Sequence, residues 1–273
     1  MNSSLFCIRC TEILHEEIKI EDALGEGVQG KTYIAQYKGG KFCAKIFRQF
    51  SEYQREATMI SAAELSSYSP KLVGTCSGMC LILMELAPGI TLQRRIKNKP
   101  CRISVHKILF ALGKAIDSLH FSGIIHNDLK VDNIMVTLDD TNPIVTLIDF
   151  GWATFNGESP YPHISPEAIN TFKHVSPKLA SGGESNAGTD NYSYGLILRA
   201  VGELYNCQSL LILAAYLTKD NGIVQSVGNL MEGISFSGEQ CMSCRLSCSC
   251  QNCTRYKQSV FESNIYKKMM ENG

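Results

Sequence analysis

The sequence carries no excess of either charge sign: 26 Lys+Arg balance 26 Asp+Glu. A neutral chain gives no global electrostatic reason to bind nucleic acid or an anionic membrane surface, and neither is expected as a partner. Long hydrophobic runs are missing as well. The longest strongly apolar stretch, LLILAAYL at 210–217, falls well short of the roughly 20 residues that cross a bilayer. It reads as a buried helix, and no membrane span is expected. MNSSLFCIRC at the start lacks the apolar core of a secretory leader. The expected setting is therefore intracellular and reducing, cytoplasmic or nuclear. There is no internal repeat, no long linker and no compositional sign of disorder. Cysteine, by contrast, is plentiful. Twelve of them in a reducing compartment are expected as thiols or metal ligands rather than disulfides.

With 273 residues the chain can bury a sizeable core as one large domain or two small ones. Its pattern changes along its length. IKIEDAL, TYIAQY and KFCAKIF alternate like strands, with Gly39 and Gly40 expected as a hairpin turn. SEYQREATMISAAELSS predicts a helix with Ser51 as its N-cap. KLVGTC and CLILMEL predict two further strands. From about 91 onward the periodicity is helical, most clearly over 104–123, where Gly123 supplies the stop. NPIVTLIDFG reads as a short strand pair, and residues 191–204 as an apolar helix preceded by Asp190.

Four groups of residues point to chemistry. Gly25, Gly27 and Gly30 lie between two strands. A dinucleotide fold would need a helix after them. Between strands, they let backbone amides approach phosphates, or they simply form a glycine hairpin. Lys45 on a strand needs a partner if it faces an apolar pocket, and Glu56 on the next helix can supply it. HNDLKVDN at 126–133 packs Asp128, Lys130 and Asn133 between two apolar runs, and LIDFG at 147–151 adds Asp149. Asn133 and Asp149 are hard oxygen ligands of the kind Mg²⁺ prefers. Asp128 has the chemistry of a base for an attacking hydroxyl, and Lys130 that of a cation on a transferred phosphate.

Taken in order, GEGVQG, AKIF, REATMI, MELAPG, HNDLKVDN, DFG, SPE and DNYSYG resemble the motifs of the eukaryotic-type protein kinase superfamily over roughly residues 17–235. That resemblance implies an α+β, bilobal fold. A small antiparallel sheet with one helix forms the N-lobe, and the C-lobe is mainly helical. The implied organisation is an N-terminal extension over 1–16, the N-lobe over 17–86, the C-lobe core over 87–235, and a cysteine-rich segment with a terminal helix over 236–273. It implies ATP and Mg²⁺ as cofactors, with Mn²⁺ as a substitute ion, and a protein substrate. Gly25, Gly27, Gly30, Thr32, Cys43, Lys45, Met84, Glu85, Leu86 and Ala87 would line the nucleotide site. Asp128, Lys130, Lys45 and Glu56 would carry catalysis, with Asn133 and Asp149 holding metal. Lysine at 130 is the serine/threonine form of the motif. The alternatives are a catalytically weak scaffold of kinase fold and a phosphotransferase acting on a small molecule.

Asn127 departs from the family. Many relatives have arginine before the catalytic aspartate, paired with a phosphate on the activation loop. A neutral asparagine cannot form that charge-assisted pair, so activity is expected not to require activation-loop phosphorylation; the alternative is that Asn127 merely fills space or hydrogen-bonds locally. Pro166–Glu167 would close that segment, with Arg245 or Arg255 as partner to Glu167, and Asp190 would hold the catalytic loop from below. In EQCMSCRLSCSCQNC, Cys241, Cys244, Cys250 and Cys253 form two CxxC pairs. They are a tetrahedral Zn²⁺ site, reduced thiols, or a site of redox or lipid chemistry.

Overall fold

The computed structural model describes residues 11–160, 172–219, 224, 226–232 and 234. Period-two patterning over the first third folds into a five-stranded antiparallel sheet. Its strands are β1 (Lys19–Glu26), β2 (Gly30–Tyr37), β3 (Gly40–Phe47), β4 (Leu72–Cys76) and β5 (Leu81–Met84), in the order β1-β2-β3-β5-β4. The β2–β3 corner falls at Lys38 and Gly39, not at Gly39 and Gly40. Both corner residues have positive φ, 46° and 79°, which matches the twist of a two-residue hairpin. Gly40 begins β3 instead. Between β3 and β4 runs α1 (Phe50–Ala63), which lays Tyr53, Glu56, Met59 and Ile60 inward. Ser51 is not its N-cap. The helix opens two residues earlier, with Gln49 in the extended cap position, where Phe50 and Phe47 both pack against Tyr53.

Residues 11–13 add to this sheet. Ile13 donates its N–H to the Thr75 carbonyl at 2.7 Å, and Thr75 donates to the Thr11 carbonyl at 2.9 Å. The Ile13 side chain is buried over Gly74, where a Cβ would run into it.

After β5 the chain becomes mostly helical. A short strand β6 (Ile90–Thr91) leads into α2 (Leu92–Lys97) and the long α3 (Arg102–Phe121). The latter starts two residues before the sequence periodicity suggested, and Gly123 at φ 78° follows its end. Next come β7 (Ile124–Ile125), β8 (Ile134–Val136), β9 (Val145–Leu147) and β10 (Thr154–Phe155). They form a β6-β8-β9 sheet and a β10-β7 pair. Only Val145–Leu147 of the expected 142–151 strand pair is a strand. The helices α4 (Pro177–Ala180), α5 (Ala187–Tyr205), α6 (Gln208–Leu217) and α7 (Val227–Glu232) complete the described chain. Asp190 does not precede α5 but lies in its first turn. Of the apolar stretch 210–217 in α6, Leu210, Leu213, Ala214 and Leu217 are buried and Tyr216 is exposed. Leu109, Leu112, Ile116, Leu119, Leu198 and Leu213 share one core. The Tyr194 hydroxyl crosses this core and donates to the Leu109 carbonyl at 2.8 Å. This is the two-lobed architecture expected from the motifs. Among the described residues, no helix is long and apolar enough to cross a membrane.

Candidate active site

The glycine loop closes over the sheet's open face. Gly27 donates its N–H to the Gly30 carbonyl at 2.9 Å. Gly30 is dictated by packing, since a Cβ there would meet the Ile46 carbonyl of β3. A Cβ on Gly25 or Gly27 would meet nothing within 4 Å, so none of the described residues requires glycine at either position. A backbone stripped of side chains yet unopposed is what a phosphate chain needs to approach the amides.

Lys45 points from β3 into the space beneath. Its Nζ donates to Glu56 Oε1 and Oε2 at 2.8 and 2.7 Å, and to Asp149 Oδ1 at 2.7 Å. Burial works against the ammonium, but the Glu56 and Asp149 carboxylates outweigh it and hold its pKa above the ordinary lysine value. Burial also pushes the Glu56 carboxyl up to about 7, against the pull of Lys45. Glu64, at the end of the same helix, instead accepts from the Leu72 N–H. Asp149 adopts a left-handed backbone, φ 64°, which turns its carboxylate toward Lys45.

The loop 126–133 is hung from one buried carboxylate. Asp190, fully buried, accepts the backbone N–H of His126 and of Asn127 at 2.8 Å each, and lies 3.0 Å from His120 Nε2. This grip holds Asn127 at φ 63°, a conformation asparagine tolerates better than most residues. Asp128 then faces the cleft. Its Oδ2 accepts from Lys130 Nζ at 2.8 Å and from Asn133 Nδ2 at 2.7 Å. Its Oδ1 lies 2.6 Å from His174 Nε2. Burial alone would raise the Asp128 carboxyl. The hydrogen bond from His174, with the charge of Lys130, outweighs burial and holds the pKa near about 2. Asn133 is brought to Asp149 through the backbone: Ile148 donates its N–H to the Asn133 carbonyl at 3.0 Å. The Asn133 amide nitrogen is committed to Asp128, which leaves the amide oxygen for a cation. With the carboxylate of Asp149 it forms a hard-oxygen donor set that fits Mg²⁺.

The other expected pocket residues frame the opposite wall. Thr32 stands across from Lys45, and Cys43 across from Met84. Glu85, Leu86 and Ala87 continue from β5, with the Glu85 N–H bonded to the Lys71 carbonyl. Burial pushes the Cys43 thiol up to about 11. Pro166–Glu167, Arg245, Arg255 and the cysteines at 241, 244, 250 and 253 lie outside the described residues, so the alternatives for those cysteines carry no geometry.

Sequence reasoning missed three neighbours. Gln29 donates from the loop tip to the Gly151 carbonyl at 3.0 Å, and Arg55 donates to that same carbonyl. The Arg55 guanidinium also lies over the Trp152 ring, 5.2 Å from its centroid. His174 reaches Asp128 from a segment with no motif to flag it. Asn127, expected mainly as a lost arginine, makes bonds of its own. Its Nδ2 donates to the Trp152 carbonyl at 3.1 Å and to Thr154 Oγ1 at 3.0 Å, and Thr154 Oγ1 lies 2.6 Å from Ser185 Oγ. The Asx residue in a left-handed turn was the only signal for this network.

Comparison of the sequence with known proteins finds relatives. The family model described as the protein kinase domain matches residues 18–208. A probable serine/threonine-protein kinase of Clostridium acetobutylicum is 30% identical over 200 residues, 68% of this chain and 30% of the relative. One of the same description from Clostridium perfringens is 31% identical, over 68% of this chain and 29% of the relative. A proline-rich receptor-like protein kinase of Arabidopsis thaliana is 32% identical, over 64% and 29%. The matched stretch spans less than a third of the length of these relatives.

Proposed function

This chain belongs to the protein kinase family, and from that premise we propose that it transfers the γ-phosphate of ATP to serine or threonine hydroxyls of a protein substrate. The observation that carries the reading is Lys45 Nζ, held at 2.7 Å from both Glu56 Oε2 and Asp149 Oδ1. A cation fixed between a helix carboxylate and a metal-side carboxylate is the arrangement phosphoryl transfer needs at the nucleotide's phosphates. Gly25 and Gly27, bare of side chains, let the phosphates come close to the loop backbone from above. Met84 through Ala87 form the edge along which the base would lie. Asn133 and Asp149 would hold Mg²⁺, which when bound supplies charge neutralisation on the phosphate oxygens. Asp128 accepts the hydroxyl proton, and its pKa near about 2 keeps it ionised at neutral pH for that role. Lys130, bonded to Asp128 Oδ2, sits where it can offset charge on the transferring group.

The same reading extends to regulation. Activity does not wait for a phosphate on the activation segment. Asn127 bonds Trp152 and Thr154 directly, β10 pairs with β7, and Asn156 and Gly157 donate to the Gly123 and Ser185 carbonyls. These neutral bonds tie down the start of the segment, the task that an arginine–phosphate pair performs elsewhere. The test is transfer from labelled ATP with Mg²⁺ to a generic basic protein, by wild type and Asp128→Asn, before and after phosphatase treatment. Transfer to serine or threonine that survives phosphatase and vanishes in the variant is the expected result. Loss of activity on phosphatase treatment overturns the regulatory part. Transfer undiminished in the variant overturns the assignment of Asp128.

A further inference from the structure

The tip of the glycine loop is built asymmetrically. Val28 is 79% exposed while its neighbour Gln29 is 6% exposed, so the Gln29 carboxamide is turned down into the cleft. Arg48, just past the end of β3, holds it there. Arg48 donates its backbone N–H to the Gln29 carbonyl at 3.0 Å, and its guanidinium to the Val28 carbonyl at 2.6 Å and to Glu26 Oε1 at 2.6 Å. Below, Gln29 Nε2 meets the Gly151 carbonyl. The carboxamide fills the space a side chain at 151 would need. A carbonyl oxygen accepts two donors, and the second on Gly151 is Arg55, next in sequence to Glu56. The circuit therefore runs from Glu56 to Lys45, to Asp149, along the backbone to Gly151, and back through Arg55 to α1. Gln29 joins the glycine loop to it.

We propose that Gln29 is a positioning residue that latches the glycine loop to Gly151, so that closing the loop over a nucleotide and seating Asp149 are one event. The inference rests on reading the loop and Asp149 as the nucleotide and metal site, but the latch itself is observable without turnover. The chain has a single tryptophan, and it is Trp152, next to the latched carbonyl and beneath the Arg55 guanidinium. Its fluorescence reports on this junction alone.

The experiment compares the full chain with Gln29→Met, which keeps the side chain's length but removes the donor, and with Gln29→Ala. Acrylamide quenching of Trp152 is measured without ligand. Dissociation of a fluorescent ATP analogue is measured by stopped flow with Mg²⁺. Both variants are expected to expose Trp152 to the quencher and to release the analogue about 5-fold faster, the effect of one neutral hydrogen bond. Trp152 quenching identical to wild type in Gln29→Met overturns the latch, whatever the nucleotide data. A wild-type protein that binds no analogue overturns the kinase reading, and the quenching comparison then decides the latch by itself.

Discussion

Replacing Asn127 isolates how the activation segment is held. The side chain is 1% exposed and its Nδ2 serves the Trp152 carbonyl and Thr154 Oγ1. Asn127→Ala removes both bonds, while Thr154 Oγ1 keeps its contact with Ser185 Oγ. At about 1 kcal/mol for each buried hydrogen bond removed, the loss is about 2 kcal/mol. A second cost comes from the backbone, because alanine at φ 63° adds about 1 kcal/mol of left-handed strain. Asn127→Gly loses the same bonds but not the backbone preference. The alanine variant is therefore expected to be about 3 kcal/mol less stable than wild type and the glycine variant about 2. Urea unfolding followed by Trp152 fluorescence measures both, and the order of the two variants carries as much information as the size. A glycine variant less stable than the alanine one refutes the strain argument. Losses below about 1 kcal/mol in both refute the claim that these buried bonds hold the segment.

Two further outcomes follow from the site's electrostatics. The Asp128 carboxyl falls to about 2 on folding, below an unfolded value near about 4. Its contribution is full above the unfolded pKa and is lost as pH falls from about 4 toward about 2. The stability difference between wild type and Asp128→Asn is expected to shrink across that window in equilibrium unfolding, and a difference that stays flat rejects the assignment. Cys43, with its thiol pushed up to about 11, is almost wholly protonated at neutral pH. In an iodoacetamide time course read by mass spectrometry it should label far more slowly than Cys101, and labelling as fast as that thiol's refutes its burial as the controlling factor.

The motifs made the lobes and most of the site legible because each is a local solution to a local problem. Lys45 needs a carboxylate within one helix of its strand, and Glu56 is the one that α1 turns toward it. Asp128, Asn133 and Asp149 carry their spacing in the chain. The contacts that escaped are long in sequence. Gln29 and Gly151 are 122 residues apart, and His174 and Asp128 are 46 apart. Neither pair has a periodicity or a spacing rule to announce it. Boundaries were misread where a tertiary contact outranked a propensity. Ser51 is a good cap residue, but Phe50 joins the aromatic contacts around Tyr53, and the helix starts there. Asp190 looks like a helix cap because aspartate favours that place. It lies inside the first turn because two backbone amides of the catalytic loop need its carboxylate.

The seating of Ile13 over Gly74 also bears on how the lobe behaves in company. β4 is the last strand of its sheet, and a last strand offers unpaired N–H and C=O groups to any other extended chain. Thr11 and Ile13 already take the groups of Thr75, and the isoleucine fills the groove that the glycine opens. A protein trimmed to begin where β1 begins would keep every residue of the proposed site. It would also uncover an adhesive sheet border with an apolar notch, on which two molecules could join edge to edge.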